Sequence, residues 1–139
     1  MQIELTLEPT FNNTVPVCNI GTSNKSMQVT CNKKINKFEL ELPIDTRDKL
    51  KIEFINKDDY DDNVIEIKEL TIDGINLQHL IYKGEFRPNY NQDWFSKQEK
   101  KPPLVYCPCT ELRHNGTWHL DISRPIWKMI MEEWKNDDR

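Results

Sequence analysis

Three stretches hold residues whose types and spacing suit chemistry. The run Asp58-Asp59-Tyr60-Asp61-Asp62 packs four carboxylates into one strand-to-strand connection. Hard cations take several oxygens from one loop together with backbone carbonyls, so Asp58, Asp59, Asp61 and Asp62 are the candidate calcium ligands. An EF-hand loop beginning at Asp58 does not fit. Tyr60 and Asn63 would stand where an acidic residue and a glycine are needed, and Glu69 would fall inside a strand. A solvated acidic turn has the same composition. No other cofactor is expected.

The second stretch, 87–103, reads RPNYNQDWFSKQEKKPP. A connection of this length inside a compact domain is usually functional or disordered. Tyr90, Trp94 and Phe95 stand there among amides, a carboxylate and lysines, and are the candidate ligand-binding residues. A pyranose offers C–H groups to a flat ring and hydroxyls to the polar neighbours, so the mixture suits sugar stacking. The same residue types are enriched in protein interfaces, and the rings would equally serve to pin the loop to the body of the fold.

The third set is Cys107, Cys109, His114 and His119. Structural zinc needs four converging ligands, and Cys-Pro-Cys is not the usual knuckle spacing. A thiol nucleophile would need a neighbouring base and a lowered pKa. The four glycines, Gly21, Gly74, Gly84 and Gly116, form no phosphate loop. No nucleophile elbow or zinc-protease motif is present. Carboxylates scattered over a fold leave no local signature, yet the expectation is a protein that is not an enzyme.

The elements that would position these residues read as strands. Gln2–Leu7, a short piece near Val15–Cys18, Ser26–Cys31, Asn36–Leu42 and Asp48–Asn56 alternate apolar with polar. In Asn63–Leu77 the alternation slips by one residue at Lys68-Glu69, the sequence form of a β-bulge, and Asp73-Gly74 predicts a tight turn. A further strand is expected over Leu80–Phe86, and another piece at Leu104–Cys107. Asn115-Gly116 is the strongest hairpin signal. A three-residue loop His114–Gly116, with Gly116 left-handed, would pair Leu112 with Trp118 and gather the apolar residues on one face. Beyond Arg124, Pro125 suits a helix start. Ile126, Trp127, Ile130, Met131 and Trp134 make one stripe over 125–135. Its Trp127, Ile130, Met131 and Trp134 are the candidate partner-binding residues, although such a stripe also covers a helix's own core.

Many short strands with one terminal helix predict an all-β fold. The expected form is an antiparallel β-sandwich of jelly-roll type with a short C-terminal amphipathic helix, one domain over 1–139. Net charge is −4 and the pI about 5.4, which argues against a nucleic-acid partner, since backbone binding needs concentrated Lys and Arg. No apolar run has the length of a membrane span. With strand-like residues directly after Met1, no export signal is read, and the four cysteines are expected as reduced thiols.

Asp73-Gly74, Phe86-Arg87-Pro88, Asn115-Gly116-Thr117-Trp118 and Pro125-Ile126-Trp127 resemble, over about 51–134, small tailed-bacteriophage proteins that are themselves similar to β-sandwich carbohydrate-binding modules. The resemblance implies a non-enzymatic virion component, docking on other virion or assembly proteins or on its own copies. It places the chain in a virion if phage-encoded and in the cytoplasm otherwise. The alternative it implies is a module binding a host-surface or extracellular glycan with calcium assistance.

Overall fold

The structure, a computed structural model, describes residues 2–22, 25–41, 49–57 and 62–121. Its elements in chain order are β1 (Gln2–Thr10), β2 (Val17–Gly21), β3 (Ser26–Thr30), β4 (Asn36–Glu41), β5 (Lys49–Phe54), β6 (Val64–Ile72) and β7 (Ile75–Asn76). A 3-10 helix (Gln78–Lys83), β8 (Glu85–Pro88), α1 (Gln92–Ser96), β9 (Glu111–Leu112) and β10 (Gly116–Asp121) complete them. The expected helix over 125–135, with Trp127, Ile130, Met131 and Trp134, lies outside the described residues. So do Asp58, Asp59 and Asp61 of the acidic run.

The strands form two antiparallel sheets, as the all-β reading expects. One has the order β4-β1-β6, with β7 and β9 sharing the far edge of β6; the other runs β3-β2-β5-β10-β8. Period-2 alternation gives each sheet one apolar face. Ile3, Leu5 and Leu7 of β1 and Ile65, Ile67, Leu70 and Ile72 of β6 meet Ile20, Leu50, Ile52, Phe54 and Trp118 of the other sheet in one buried cluster. Among the described residues no helix is long and apolar enough to cross a membrane.

The bulge lies where the alternation slips. Thr6 pairs with Glu69 and Leu7 with Ile67, leaving Lys68 unmatched. That extra residue returns both Ile67 and Leu70 to the core face. Asp73-Gly74 turns between the paired Ile72 and Ile75 with φ of 50° and 81°, the left-handed pair a two-residue hairpin loop requires.

Two expectations are overturned. Of Leu80–Phe86, only Glu85 and Phe86 lie in a strand, β8, while Leu80–Lys83 belongs to the 3-10 helix. Leu77, Leu80 and Ile81 are buried together at i, i+3, i+4 spacing, so a 3-10 turn rather than an extended chain seats them. Nor does Asn115-Gly116 close a hairpin. Leu112 pairs with Ile65 in the first sheet, and Trp118 pairs with Ile52 and Phe86 in the second. Leu112 and Trp118 still share the core, but from opposite sheets, because the chain crosses between them at residues 113–115. Gly116 pairs with Phe54 on one side and Pro88 on the other. With φ of 151°, a Cβ there would lie 2.4 Å from the Arg87 carbonyl oxygen, so close strand approach is what demands glycine.

Candidate functional site

Four connections, after β1, β5, β8 and β9, converge at one end of the sandwich. Thr10 ends β1 opposite Val64, which begins β6; at the same end, Gly116 begins β10 beside Phe54 and Pro88. The clasp holding the connections together is Asn115. Its Oδ1 accepts from the Lys57 backbone N–H at 2.7 Å, its Nδ2 donates to the Lys57 carbonyl at 3.3 Å, and its own carbonyl accepts from Asn89 N–H at 2.6 Å. Asn56 does the same for the first connection, accepting from Val17 N–H at 2.7 Å and donating to the Val15 carbonyl at 2.9 Å.

The 87–103 segment is ordered around a short helix. Asn91 caps α1, its side-chain oxygen accepting from the N–H groups of Asp93 and Trp94 at 3.0 and 3.2 Å, and Asp93 stands in the positive first turn. Tyr90 stacks on Trp94 at 5.5 Å and on Phe95 at 5.3 Å, and meets His114 edge-on at 4.9 Å. Its hydroxyl donates to the Pro103 carbonyl and lies 3.1 Å from the Tyr106 hydroxyl. Burial, then the bond to Tyr106, raises the Tyr90 phenol above its ordinary range. Lys101 caps the end of α1 through the carbonyls of Phe95 and Ser96 and sits 5.0 Å from the Phe95 ring centre. The three sequence-predicted aromatics therefore form one cluster. Tyr90 is its structural centre, while Trp94 and Phe95 remain half-exposed.

Beside this cluster lies a cleft of about 690 Å³, bordered by Trp94, Lys57, Asp62, Glu66, Arg113 and His114. It adjoins a more apolar recess of about 360 Å³ walled by Tyr82, Phe86, Tyr106 and Pro108, with His114 and Arg113 shared between the two. Arg113 binds Glu111 Oε2 at 2.6 Å, and Lys68 reaches Glu66 at 3.3 Å and Glu8 at 3.4 Å. None of the residues bordering the cleft belongs to the buried apolar core.

Asn63, at its floor, is wholly buried, and neither its Oδ1 nor its Nδ2 has a hydrogen-bond partner. A buried amide left so costs about 1–3 kcal/mol, which makes it the site's unspent polar capacity. As a test for calcium, the described donors fall short. Asp62 and Asn63 offer oxygens, but Glu66 and Glu111 are engaged by Lys68 and Arg113, and calcium takes about 6–8 oxygens. Among the described residues no three His, Cys, Asp or Glu side chains converge on a metal position.

The cysteine–histidine quartet is likewise dispersed. His119 faces a separate shallow pocket with Asn19, Lys51 and Thr117, whereas His114 stays with the aromatic cluster. The Cys109 thiol contacts the Glu111 carbonyl at 3.1 Å, and burial raises its pKa, the opposite of an activated nucleophile.

Lys57, Glu66, Glu111, Arg113 and Asn115 went unrecognised as site residues in the sequence. Lys57 lies on one connection, Arg113 and Asn115 on another, Glu66 on β6 and Glu111 on β9, so no local spacing unites them. Asn115-Gly116 is the available signal, but in sequence it specifies a turn, whereas in the structure it supplies a clasp and a close approach.

No family model matches the chain, and no curated protein matches it by sequence. By structure it is similar to vCBM60 in complex with galactobiose, with a TM-score of 0.57 and 8% identity over 87% of this chain and 98% of that one. A second vCBM60 structure superposes with a TM-score of 0.60 and 8% identity, over 86% and 89% of the two chains. It is described in work on two families of calcium-dependent carbohydrate binding modules linked by circular permutation. At that identity the likeness is one of fold: that of a carbohydrate-binding module.

Proposed function

We propose that this chain is a non-catalytic carbohydrate-binding module that holds a glycan in the cleft beside Trp94. The observation that carries the reading is the composition of that cleft. It sets one half-exposed aromatic ring against hydrogen-bonding side chains of both signs, Lys57, Asp62, Glu66 and Arg113. A sugar has an apolar C–H face and a rim of hydroxyls that both donate and accept, so it can use the ring and both kinds of polar group at once. The Tyr90 stack and the Asn91 cap fix the orientation of Trp94 before any ligand arrives, which lowers the ordering cost of binding. The fold likeness to a module described with galactobiose supports the same reading.

No step of the proposal runs through calcium, because the described donors do not complete a site. The virion-assembly reading rests on Trp127, Ile130, Met131 and Trp134, outside the described residues, and nothing in the fold or the comparisons favours it or a phage origin.

The test is calorimetric and fluorescence titration with galactobiose and a panel of oligosaccharides, run with calcium and again with a chelator. Saturable binding that Trp94→Ala abolishes while the fold persists is expected. Flat titrations across the panel in both buffers would sink the proposal.

A further inference from the structure

The apolar recess that adjoins the cleft has walls of its own. Its back is built on the core. Phe86 is buried, and Tyr106 pairs with it through both backbone groups, at 2.8 and 2.9 Å. The Tyr106 ring lies 6.3 Å from that of Phe86, and its hydroxyl is 3.1 Å from the Tyr90 hydroxyl, so the side chain is held at both ends. The outer wall is Tyr82. Leu77, Leu80 and Ile81 of the same turn are buried, whereas Tyr82 is 54% exposed. The turn is fixed by bonds from Leu80 N–H to the Leu77 carbonyl and from Gly84 N–H to the Ile81 carbonyl, at 3.0 and 3.1 Å. A large ring held in water on a fixed turn offers a ligand apolar area at low ordering cost. Glu111, Arg113 and His114 border both hollows and form the crossing between them, with Arg113 donating to Glu111 at 2.6 and 2.9 Å. Trp94 stands on one side of that crossing and Tyr82 on the other.

We propose, building on the glycan reading of the cleft, that the recess is a second sugar subsite. The ligand is then a chain of linked sugars laid from Trp94 across Arg113 and His114 to Tyr82. The recess, about 360 Å³, has the size of a small-molecule site. Its wall of Tyr82, Tyr106 and Pro108 suits the C–H side of a pyranose, while Arg113 and His114 suit its hydroxyls and the linkage. A wholly apolar occupant would use the walls but would take water from the charged crossing without replacing its hydrogen bonds, which favours a sugar. Once one unit is seated on Trp94, the next contact is intramolecular and forms at a high effective concentration. Affinity therefore rises with chain length until the recess is filled.

The experiment titrates the full chain calorimetrically with galactose, glucose and mannose oligosaccharides, from disaccharide to hexasaccharide, in calcium and in chelator. In the series that binds, affinity is expected to rise about tenfold from the disaccharide to the longer members, the size of one aromatic contact. Tyr82 lies outside the buried cluster, so Tyr82→Ala should fold, keep the disaccharide affinity and lose the rise, whereas Tyr82→Phe should retain it. Nitration of Tyr82 by tetranitromethane, located by peptide mapping, should be blocked by a longer oligosaccharide and not by the disaccharide. Equal affinity at every length, or a rise that survives in Tyr82→Ala, would overturn the second subsite and leave the cleft reading standing. Binding of no oligosaccharide in either buffer would overturn both.

Discussion

Asn115 grips Lys57 by both of its backbone polar groups, accepting from its N–H at 2.7 Å and donating to its carbonyl at 3.3 Å. The side chain thereby mimics a strand partner and joins two connections that each lead from one sheet to the other. Asn115→Ala leaves two backbone groups to find new partners and should cost about 1–3 kcal/mol in urea denaturation. Asn115→Asp retains the acceptor and loses the donor, so its cost should lie between the variant and the parent. Equal stability of all three would show that the clasp contributes nothing.

Two glycines separate space from backbone conformation. Gly84 has ordinary extended dihedrals, but a Cβ there would fall 2.3 Å from the Trp118 indole, whose N–H is fixed on the Cys109 carbonyl at 2.8 Å. Gly84→Ala should therefore destabilise by about 1–3 kcal/mol through overpacking and alter the near-ultraviolet dichroism of the indole. Gly74→Ala meets no atom within 4 Å and should cost only about 1–2 kcal/mol, from its left-handed φ, with that spectrum unchanged.

Asn63→Leu should raise stability by about 1–2 kcal/mol, because an unpaired donor and acceptor leave the interior while the branching of the side chain at Cγ is kept. Thermal melts in chelator and in calcium test this. A variant less stable than the parent in calcium alone would identify the carboxamide as a cation ligand instead.

His119 predicts a pH effect. Burial, then the nearby Lys49, Lys51 and Arg87, lowers its pKa below the unfolded value of about 6.5. The unfolded chain then takes up a proton first as pH falls. Stability from this group is complete above about pH 6.5 and is lost as pH drops through the folded pKa. The urea midpoint should fall between about pH 7.5 and about pH 5.5, and His119→Gln should flatten that segment of the curve.

The sequence was most legible where one residue's placement has only one geometric solution. Lys68 had to bulge because Ile67 and Leu70 cannot otherwise share a face, and Asp73-Gly74 had to turn. It was least legible where local spacing admits two geometries that bury the same residues. Leu77, Leu80 and Ile81 suit a 3-10 turn as well as Leu80–Gly84 suits the start of a strand, and only the joint burial of those three residues decides. Leu112 and Trp118 reach a common core from one hairpin or from two facing sheets. Of the site, Tyr90, Trp94 and Phe95 were visible as an aromatic cluster in sequence. The clasp at Asn115 was not, since its partner Lys57 is distant along the chain.

The cleft borrows nothing from the buried apolar core, so the side chains that border it and those that fold the sandwich form nearly separate sets. Exchanges at Asp62, Trp94 or Arg113 reshape the cleft without disturbing Ile52, Phe54 or Trp118. Gly116 and Asn115, at the boundary, belong to both sets. The frame can therefore stay superposable on a structure with which it shares 8% identity, because the residues around the cleft can be exchanged one at a time without rebuilding what holds the two sheets together.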